Sequence, residues 1–177
     1  MKTFTQDIKQ KLLSNQESLF LAPSTIPEAG RGLKTKKTFQ KGDLLTQYCG
    51  WIISRGEARS LRDQGAHSHV NTLDSHTYLL GVETPAEIRS FPPEDRGYAS
   101  FINHDPQKKN CEFITIEGRR LLRATKDIEA GSELFVSYGR NYFKSDYSRT
   151  AAGKELRKQL VASKPRTSID RNSLIIS

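Results

Sequence analysis

Short apolar runs, separated by glycine or by polar turns, are the feature that most constrains the fold of this chain. Each run has two to four residues, which is too short for a helix but sufficient for a strand. The runs are Leu44-Leu45, Trp51 to Ile53, Tyr78 to Leu80, Phe113 to Ile116, Leu121-Leu122 and Leu134 to Val136. The Glu117-Gly118 step between two of them predicts a tight hairpin. We therefore expect a mainly β fold of several small sheets with short helices.

Helical periodicity is present in few places. Thr5 to Leu13 has its apolar residues on one helical face, which predicts a short amphipathic helix. Arg55 to Arg62 is the only convincing internal helix candidate. Pro23 and Pro27 mark an extended linker between the first helix and the strand-like runs. We predict a helical extension over residues 1–22, one folded domain over 23–143 and a basic extension over 144–177.

Composition limits the class of protein. A chain of 177 residues with 35% hydrophobic residues can bury the core of one domain. Cys49 and Cys111 are the only cysteines, so a disulfide-rich fold is excluded and no CxxC pair can hold zinc. We expect no metal. Met1, Lys2 and Thr3 begin no apolar leader, and no run approaches the length of a membrane span. We expect a soluble intracellular protein without a membrane partner.

The net charge is compatible with several kinds of partner. A formal charge of +8 favours acidic partners such as nucleic acid, a nucleosomal surface or an anionic membrane. A basic surface that is merely solvated explains the same charge equally well.

Two segments of the chain echo each other. Phe39-Gln40-Lys41-Gly42-Asp43-Leu44 leads to Tyr48, and Ile128-Glu129-Ala130-Gly131-Ser132-Glu133-Leu134 leads to Tyr138. Each is a glycine turn that leads into a strand, and each strand ends near a tyrosine. The match is too short for a duplicated domain, so it predicts two similar turn-strand units.

Two short motifs contain residues suited to binding a small polar ligand. Gly30 and Gly32 flank Arg31, and glycine allows a backbone to approach a ligand that a Cβ would exclude, although a simple turn before the first strand has the same pattern. It is not a dinucleotide-binding fingerprint, because the third glycine is missing. The Asn103 side chain offers a donor and an acceptor to an amino-acid-like group, and main-chain groups beside His104 can bind an adenine edge. A loop asparagine beside a surface histidine is the alternative.

Taken in order, Gly30-Arg31-Gly32, Asn103-His104 and Tyr138-Gly139 resemble the motifs of SET-domain protein lysine methyltransferases. The resemblance extends from about Leu21 to about Phe143. It implies small curved sheets around a threaded, pseudoknot-like crossing, and S-adenosyl-L-methionine as the cofactor. The cofactor-binding residues that it implies are Gly30, Arg31, Gly32, Tyr48, Asn103, His104 and Tyr138.

Tyr138 is the predicted catalytic residue. Methyl transfer from a sulfonium to an amine requires a neutral lysine aligned with the methyl donor, and a phenol can hold and orient that amine. By resemblance, Tyr48 and Tyr78 form the other aromatic walls of the lysine channel. A buried tyrosine with a satisfied hydroxyl is the structural alternative.

Two family features are altered or missing. The family usually continues after Asn-His with Ser-Cys-x-Pro-Asn, whereas this chain has the longer, basic turn Asp105 to Asn110. It also has no cysteine after Cys111 to form the zinc cluster that closes the channel in many relatives. The lysine channel is then expected to be closed by an aromatic residue or by a subunit interface in a homodimer. If the aromatic residues only pack in the core, they do not close it. The candidate aromatics are Tyr142, Phe143 and Tyr147.

The segment Gly153 to Lys164 is similar to the middle of the histone H3 tail, with Gly-Lys-x-x-Arg-Lys-Gln-Leu in common. One hypothesis is a substrate mimic that is methylated in cis at Lys154, Lys158 or Lys164. The other is a chance match within an amphipathic helix whose apolar stripe is Leu156, Leu160 and Val161. The similarity is short, so the helix is favoured.

The resemblance predicts methylation of a protein lysine, with a basic histone tail as the substrate and the nucleus as the location. A contact with DNA or the nucleosome through the basic surface is a further expectation. Two alternatives stay open. A SET-like module that binds chromatin or a basic peptide predicts cofactor binding without turnover. A basic nucleic-acid-binding protein predicts salt-dependent DNA affinity and no cofactor affinity.

Overall fold

The structure of the protein is a computed structural model that describes residues 6–66, 69–137 and 150–166. It is mainly β with short helices, as predicted. In chain order the elements are α1 (Gln6–Gln16), β1 (Leu19–Pro23), β2 (Arg31–Thr35), β3 (Leu44–Gln47), β4 (Gly50–Ser54), α2 (Arg55–Asp63), β5 (Val70–Thr72), β6 (Thr77–Gly81), α3 (Pro85–Arg89), two 3₁₀ turns (Pro93–Asp95 and Ala99–Phe101), β7 (Asn103–His104), β8 (Cys111–Ile116), β9 (Arg119–Ala124), β10 (Phe135–Val136) and α4 (Ala151–Ser163). No helix among these is both long and apolar enough to cross a membrane.

The chain forms two compact units. Unit 1 contains the described residues of Met1–Tyr48 and Arg96–Gly139, and unit 2 those of Cys49–Asp95 and Arg140–Ser177. Each unit therefore combines two separate parts of the sequence. The predicted regions 1–22, 23–143 and 144–177 divide the chain by sequence character, and their boundaries stay predictions.

Unit 1 contains three small sheets. β1 pairs with β2, and β8, β9 and β3 form a three-stranded antiparallel sheet. The predicted hairpin joins β8 to β9, with Glu117 and Gly118 both at positive φ. The third sheet is the parallel pair of β7 and β10. Apolar side chains from these strands and from α1 form the core of the unit, and its fully buried leucines are Leu12, Leu33, Leu45, Leu121, Leu122 and Leu134.

The two echoing segments form a matched pair of turns in unit 1. Phe39 and Ile128 exchange backbone hydrogen bonds of 2.9 and 2.8 Å. Gly42 and Gly131 both have positive φ, at 93° and 88°, a conformation in which a Cβ is strained. The interpretation as two similar turn-strand units agrees with this geometry, and the turns lead into the strands β3 and β10.

A short crossing holds β10 beside β7. Phe135 lies opposite Asn103 and Val136 opposite His104 in a parallel register. The buried side chain of Asn110 fastens the crossing, because its Nδ2 donates to the Glu133 carbonyl at 3.0 Å and its Oδ1 accepts from the Phe135 amide at 2.8 Å. The altered turn from Asp105 to Asn110 therefore still delivers an asparagine that fixes the next strand of the site.

Several sequence expectations were wrong in detail. Leu19–Pro23 is a strand, where we expected an extended linker that included Pro23, so β2 is the second strand and not the first. Proline is tolerated there because β1 is an edge strand, paired on one side only with β2. α1 continues three residues beyond Leu13. The short helix α3 was missed, although Thr84 caps it and Pro85 begins it, a typical start signal.

Unit 2 consists of the antiparallel sheet β4-β6-β5 and the helices α2, α3 and α4. α2 begins with a capping box, in which Ser54 and Glu57 each bond the other's backbone amide. Its buried residues, Ala58 and Leu61, face the interior of the unit. α4 contains most of the histone-like segment, so the helix hypothesis for that segment agrees with the structure.

An arginine with little exposed surface, Arg157, anchors α4 within unit 2. The Arg157 side chain is 11% exposed and lies between two glutamates of the same unit, with Nε 3.3 Å from Glu83 Oε1 and both terminal nitrogens 3.3 Å from Glu87. It also donates to the Gly81 carbonyl at 3.0 Å and lies 5.8 Å from the centre of the Trp51 ring. The helix is thus held by paired charge as well as by its apolar stripe.

Further contacts hold both ends of α4. Gly153 is buried against Gln64, where a Cβ would approach the Gln64 carbonyl oxygen to 2.6 Å. Leu160 is buried, and Lys164 forms an ion pair with Glu57 of α2. Methylation of this segment in cis would require the helix to leave these contacts.

Candidate active site

A buried carboxylate, Glu133, is at the centre of the candidate site in unit 1. The residue is 6% exposed and lies between the turn at Gly131 and β10. Ser24 Oγ donates to it at 2.7 Å, and the amide and hydroxyl of Thr25 each donate at 2.8 Å. Burial raises the pKa of Glu133, but the hydrogen bonds outweigh burial and hold its pKa below the ordinary 4.5. Glu133 is therefore an anion at neutral pH, stabilised by neutral donors.

The two glycines of the Gly30-Arg31-Gly32 motif are required for different reasons. Gly30 has a φ of +71°, with no atom near the position of a Cβ, so its requirement is conformational. Gly32 lies in β2, where a Cβ would approach Glu133 Oε1 to 2.1 Å and Asn103 Nδ2 to 3.2 Å. The space beside Gly32 is thus filled by two polar side chains of the protein. We expected that space to serve the approach of a ligand.

Asn103 joins the glycine motif to the carboxylate. Its Nδ2 donates to the Arg31 carbonyl at 3.1 Å and to Glu133 Oε1 at 3.3 Å. Both neighbours are acceptors, which fixes the orientation of the amide with its NH₂ group toward them. Oδ1 accepts no hydrogen bond from the described residues. Asn103 is half-buried, so this oxygen can accept a hydrogen bond from a ligand.

The electrostatics of the corner formed by Gly32, Asn103 and Glu133 favour a cation. The negative charge of Glu133 is met by neutral donors and by no Lys, Arg or His among the residues that the structure describes. Burial lowers the pKa of the neighbouring His104 below 6.5 despite the opposing charge of Asp105, so its imidazole is neutral at pH 7. A ligand ammonium beside Asn103 Oδ1 would meet an acceptor and an uncompensated anion.

Tyr48 lies in a second part of unit 1, at the end of β3. The residue is 5% exposed, and its ring contacts Phe113 edge-to-face with centroids 5.9 Å apart. The Arg120 guanidinium lies 5.4 Å from the centre of the Phe113 ring. Burial lowers the pKa of Arg120, and interaction with Tyr48 raises it. Phe113 and Arg120 also line a cavity of about 240 Å³ that reaches Ser137.

The structure brings together some of the predicted site residues and not others. Gly32, Arg31 and Asn103 share direct contacts, and His104 follows on β7. Tyr78 belongs to β6 of unit 2, where it is half-buried and paired with Ile53. Tyr138 lies outside the described residues, as do the aromatics proposed to close the channel, Tyr142, Phe143 and Tyr147.

Sequence reasoning missed the residues that support Asn103. Glu133, Ser24 and Thr25 were not among the predicted site residues, although Ser24 and Glu133 are in contact across 109 positions of the chain. One local signal was present. Glu133 is the charged residue at the start of the apolar run Leu134 to Val136, and it is buried. A carboxylate that is buried next to a core strand requires hydrogen-bond donors, which makes Glu133 a candidate member of a site.

Comparison with known proteins places this geometry in a family. The sequence pattern of the SET domain matches residues 30–139. The histone-lysine N-methyltransferase set-1 of Caenorhabditis elegans is 28% identical over 114 residues, which are 62% of this chain and 46% of that protein. The mouse histone-lysine N-methyltransferase NSD3 is 36% identical over 113 residues, 62% of this chain and 7% of the relative.

A third relative gives the same result. The mouse histone-lysine N-methyltransferase, H3 lysine-36 specific, is 34% identical over 115 residues, 63% of this chain and 4% of that protein. The similarity thus spans less than half of each relative. The SET-domain match at residues 30–139 includes Gly32, Asn103 and Glu133, whose contacts build the corner described above, and it covers more than half of the present sequence. The chain belongs to the SET-domain family.

Proposed function

We propose that this protein transfers methyl groups from S-adenosyl-L-methionine to a lysine of a protein substrate, with a basic histone tail as the preferred substrate. One observation carries the proposal: Asn103 is held by Arg31 and Glu133 in the orientation that leaves its Oδ1 free for a ligand. That corner lies within a SET-domain sequence. Relatives over this span are histone-lysine methyltransferases, which supports the substrate class.

The residues of the corner fit the methionine part of the cofactor. Asn103 Oδ1 would accept a hydrogen bond from its ammonium, and the charge of Glu133 would favour the cation at that point. Arg31 is exposed and has a guanidinium available for the carboxylate. The main chain around Asn103 and His104 would bind the adenine edge. When bound, the cofactor supplies an electrophilic methyl group on a sulfonium.

The remaining roles belong to the aromatic residues. Tyr138 would hold the substrate amine and align its lone pair with the methyl group, and burial beside a positive charge would keep the amine neutral. Tyr48, packed on Phe113, and Tyr78 would line the lysine channel and exclude water. Because β10 is fixed to β7 by Asn110, the strand that leads to Tyr138 has a defined register, which favours turnover over binding alone.

The test is methylation of core histones by the full chain with labelled cofactor, followed by mass spectrometry of every chain present. We expect methyl-lysine on a histone tail, and we expect Tyr138→Phe to bind cofactor as tightly as the wild type while turnover falls at least about 100-fold. Tyr98→Phe, a half-buried tyrosine of unit 1, is the matched control and should keep its activity.

Two outcomes would contradict the proposal. Cofactor binding by the wild type without methylation of any histone or peptide would identify a binding module. A wild-type rate in Tyr138→Phe would remove Tyr138 from the mechanism. The same spectra show whether Lys154, Lys158 or Lys164 is methylated in cis, and the packed state of α4 leads us to expect that these lysines are unmodified.

A further inference from the structure

We infer that the exposed face of α2 binds the phosphate backbone of double-stranded nucleic acid. Arg55, Arg59 and Arg62 are at helical spacings i, i+4 and i+7, which place them on one side of the helix. We call them the arginine face. All three are exposed. At about 1.5 Å per residue the face extends along about 10 Å of helix.

The charge of this face is not compensated within the protein. None of the three arginine side chains has a hydrogen bond or ion pair with any residue in the described ranges. Other arginines of the chain do have partners: Arg157 bonds Glu87, and Arg123 bonds Glu112. On α2 itself, Glu57 is already engaged by Ser54 and Lys164. The three guanidinium groups are therefore available to an external anion.

The helix presents this face on a rigid support. Its first turn is closed by the capping box of Ser54 and Glu57, and the side of the helix next to the arginine face is buried through Ala58 and Leu61. At its end, Gln64 accepts hydrogen bonds from Thr150, the cap of α4. A face held in this way loses little backbone entropy on binding.

The chemistry of the face favours nucleic acid over an acidic protein. Protein interfaces are built around buried aromatic or aliphatic anchors, and the residues exposed among the arginines are Gly56, Ser60 and the acidic Asp63, none of which is such an anchor. With Asp63 counted, the exposed residues of the helix here still carry an excess of positive charge. Nucleic-acid interfaces are polar and strongly cationic. A duplex has one phosphate charge per about 1.7 Å of its axis, so 10 Å of helix faces several phosphates, and guanidinium binds phosphate through two hydrogen bonds.

The experiment measures binding of the full chain to a fluorescently labelled 20-bp DNA duplex of mixed sequence, by anisotropy between 50 and 200 mM NaCl. In the triple variant Arg55→Ala, Arg59→Ala, Arg62→Ala we expect affinity at 50 mM NaCl to fall more than about tenfold. The slope of log K against log salt should decrease by about 2.7, from about 0.9 for each lost phosphate contact. Circular dichroism checks that the variant is folded.

Two further variants separate the arginine face from net charge. Lys11→Ala, Lys41→Ala, Lys126→Ala removes three exposed cations of unit 1, and its slope should change by less than about 1. Arg55→Lys, Arg59→Lys, Arg62→Lys keeps the charge and should retain the wild-type slope within about 1. An equal loss in both alanine variants would overturn the inference. So would a wild type that binds a polyglutamate peptide but not the duplex.

Discussion

The two units stabilise their buried charges in opposite ways. In unit 1 the buried Glu133 anion is surrounded by neutral donors from Ser24, Thr25 and Asn103. In unit 2 the largely buried Arg157 cation is paired with the carboxylates of Glu83 and Glu87. In the second case a cation lies directly against the carboxylates, whereas in the first no cation among the described residues meets the carboxylate.

The difference suits the two regions to different tasks. Neutral donors satisfy a carboxylate only in fixed directions, so the network around Glu133 fixes the Asn103 amide while leaving a potential that attracts a cationic ligand. The ion pairs of Arg157 engage their carboxylates with a cation of the protein itself, and they fasten α4 to its unit. We therefore expect changes at the Arg157 ion pairs to affect stability, and changes around Glu133 to affect both stability and cofactor binding.

The largest effect is expected from Arg157→Ala. The change leaves the half-buried carboxylates of Glu83 and Glu87 without their cation and removes the contacts of Arg157 with the Gly81 carbonyl and the Trp51 ring. The free energy of unfolding should therefore fall by about 3–5 kcal/mol. Urea unfolding followed by the fluorescence of Trp51, the only tryptophan, reports on this unit directly. The neighbouring exposed Lys158→Ala is the control, with a change within about 0.5 kcal/mol. A loss below 1 kcal/mol in Arg157→Ala would show that the ion pairs do not anchor α4.

Glu133→Gln should have the next largest effect. Its amide NH₂ would face a donor, so at pH 7 the free energy of unfolding should fall by about 3 kcal/mol, while the exposed Glu129→Gln should not change it. The pKa of Glu133 is lowered on folding, so its contribution is present above about pH 4.5 and is lost as pH falls through the lowered pKa. The gap between wild type and variant in urea unfolding should therefore narrow at low pH, and a constant gap would exclude an ionised Glu133.

Asn103→Ala tests whether the network around Glu133 contributes to cofactor binding. The variant lacks the Oδ1 acceptor, so binding of S-adenosyl-L-methionine should weaken by about 1–3 kcal/mol. Isothermal titration calorimetry measures this directly. Gln107→Ala changes an exposed amide of the turn that follows β7 and should bind as the wild type does. Equal affinities for Asn103→Ala and wild type would mean that the ammonium is bound elsewhere.

The smallest effect is expected at the ion pair of Glu57 and Lys164, which is partly exposed, at 26% and 31%. Glu57→Gln should lower the free energy of unfolding by about 0.2–1 kcal/mol. In 1 M NaCl the difference from wild type should shrink, because the charges are screened. A larger effect that is insensitive to salt would point to the capping box, in which Glu57 also takes part.

Local patterns predicted most of the fold. Apolar runs gave β4, β6, β8 and β9, and the Glu117-Gly118 step gave the turn of the hairpin. β1 was missed because Pro23 argues against a strand, and only its pairing with Arg31, several positions later, keeps it extended. Pairing between separate segments of the chain leaves little trace in a short stretch of sequence.

Only part of the candidate site could be predicted, because some of its residues are joined by contacts between distant positions of the sequence. Motif order identified Gly32 and Asn103, which the structure brings together. It did not identify Ser24 and Thr25, because an ordinary Ser-Thr pair gains its role only from a carboxylate 109 and 108 positions away. Nor did it give the reason for Gly32, which is the space taken by Glu133.

The contact between Ser24 and Glu133 also sets an order for synthesis of the chain. The donors Ser24, Thr25 and Asn103 leave the ribosome before their acceptor, since translation proceeds from the N-terminus. Until Glu133 emerges, no carboxylate fixes the Asn103 amide, and β7 has no parallel strand beside it. Closing so long a loop is entropically costly and slow. The nascent chain therefore carries the parts of the site for some 30 residues of elongation after Asn103 before they can form it.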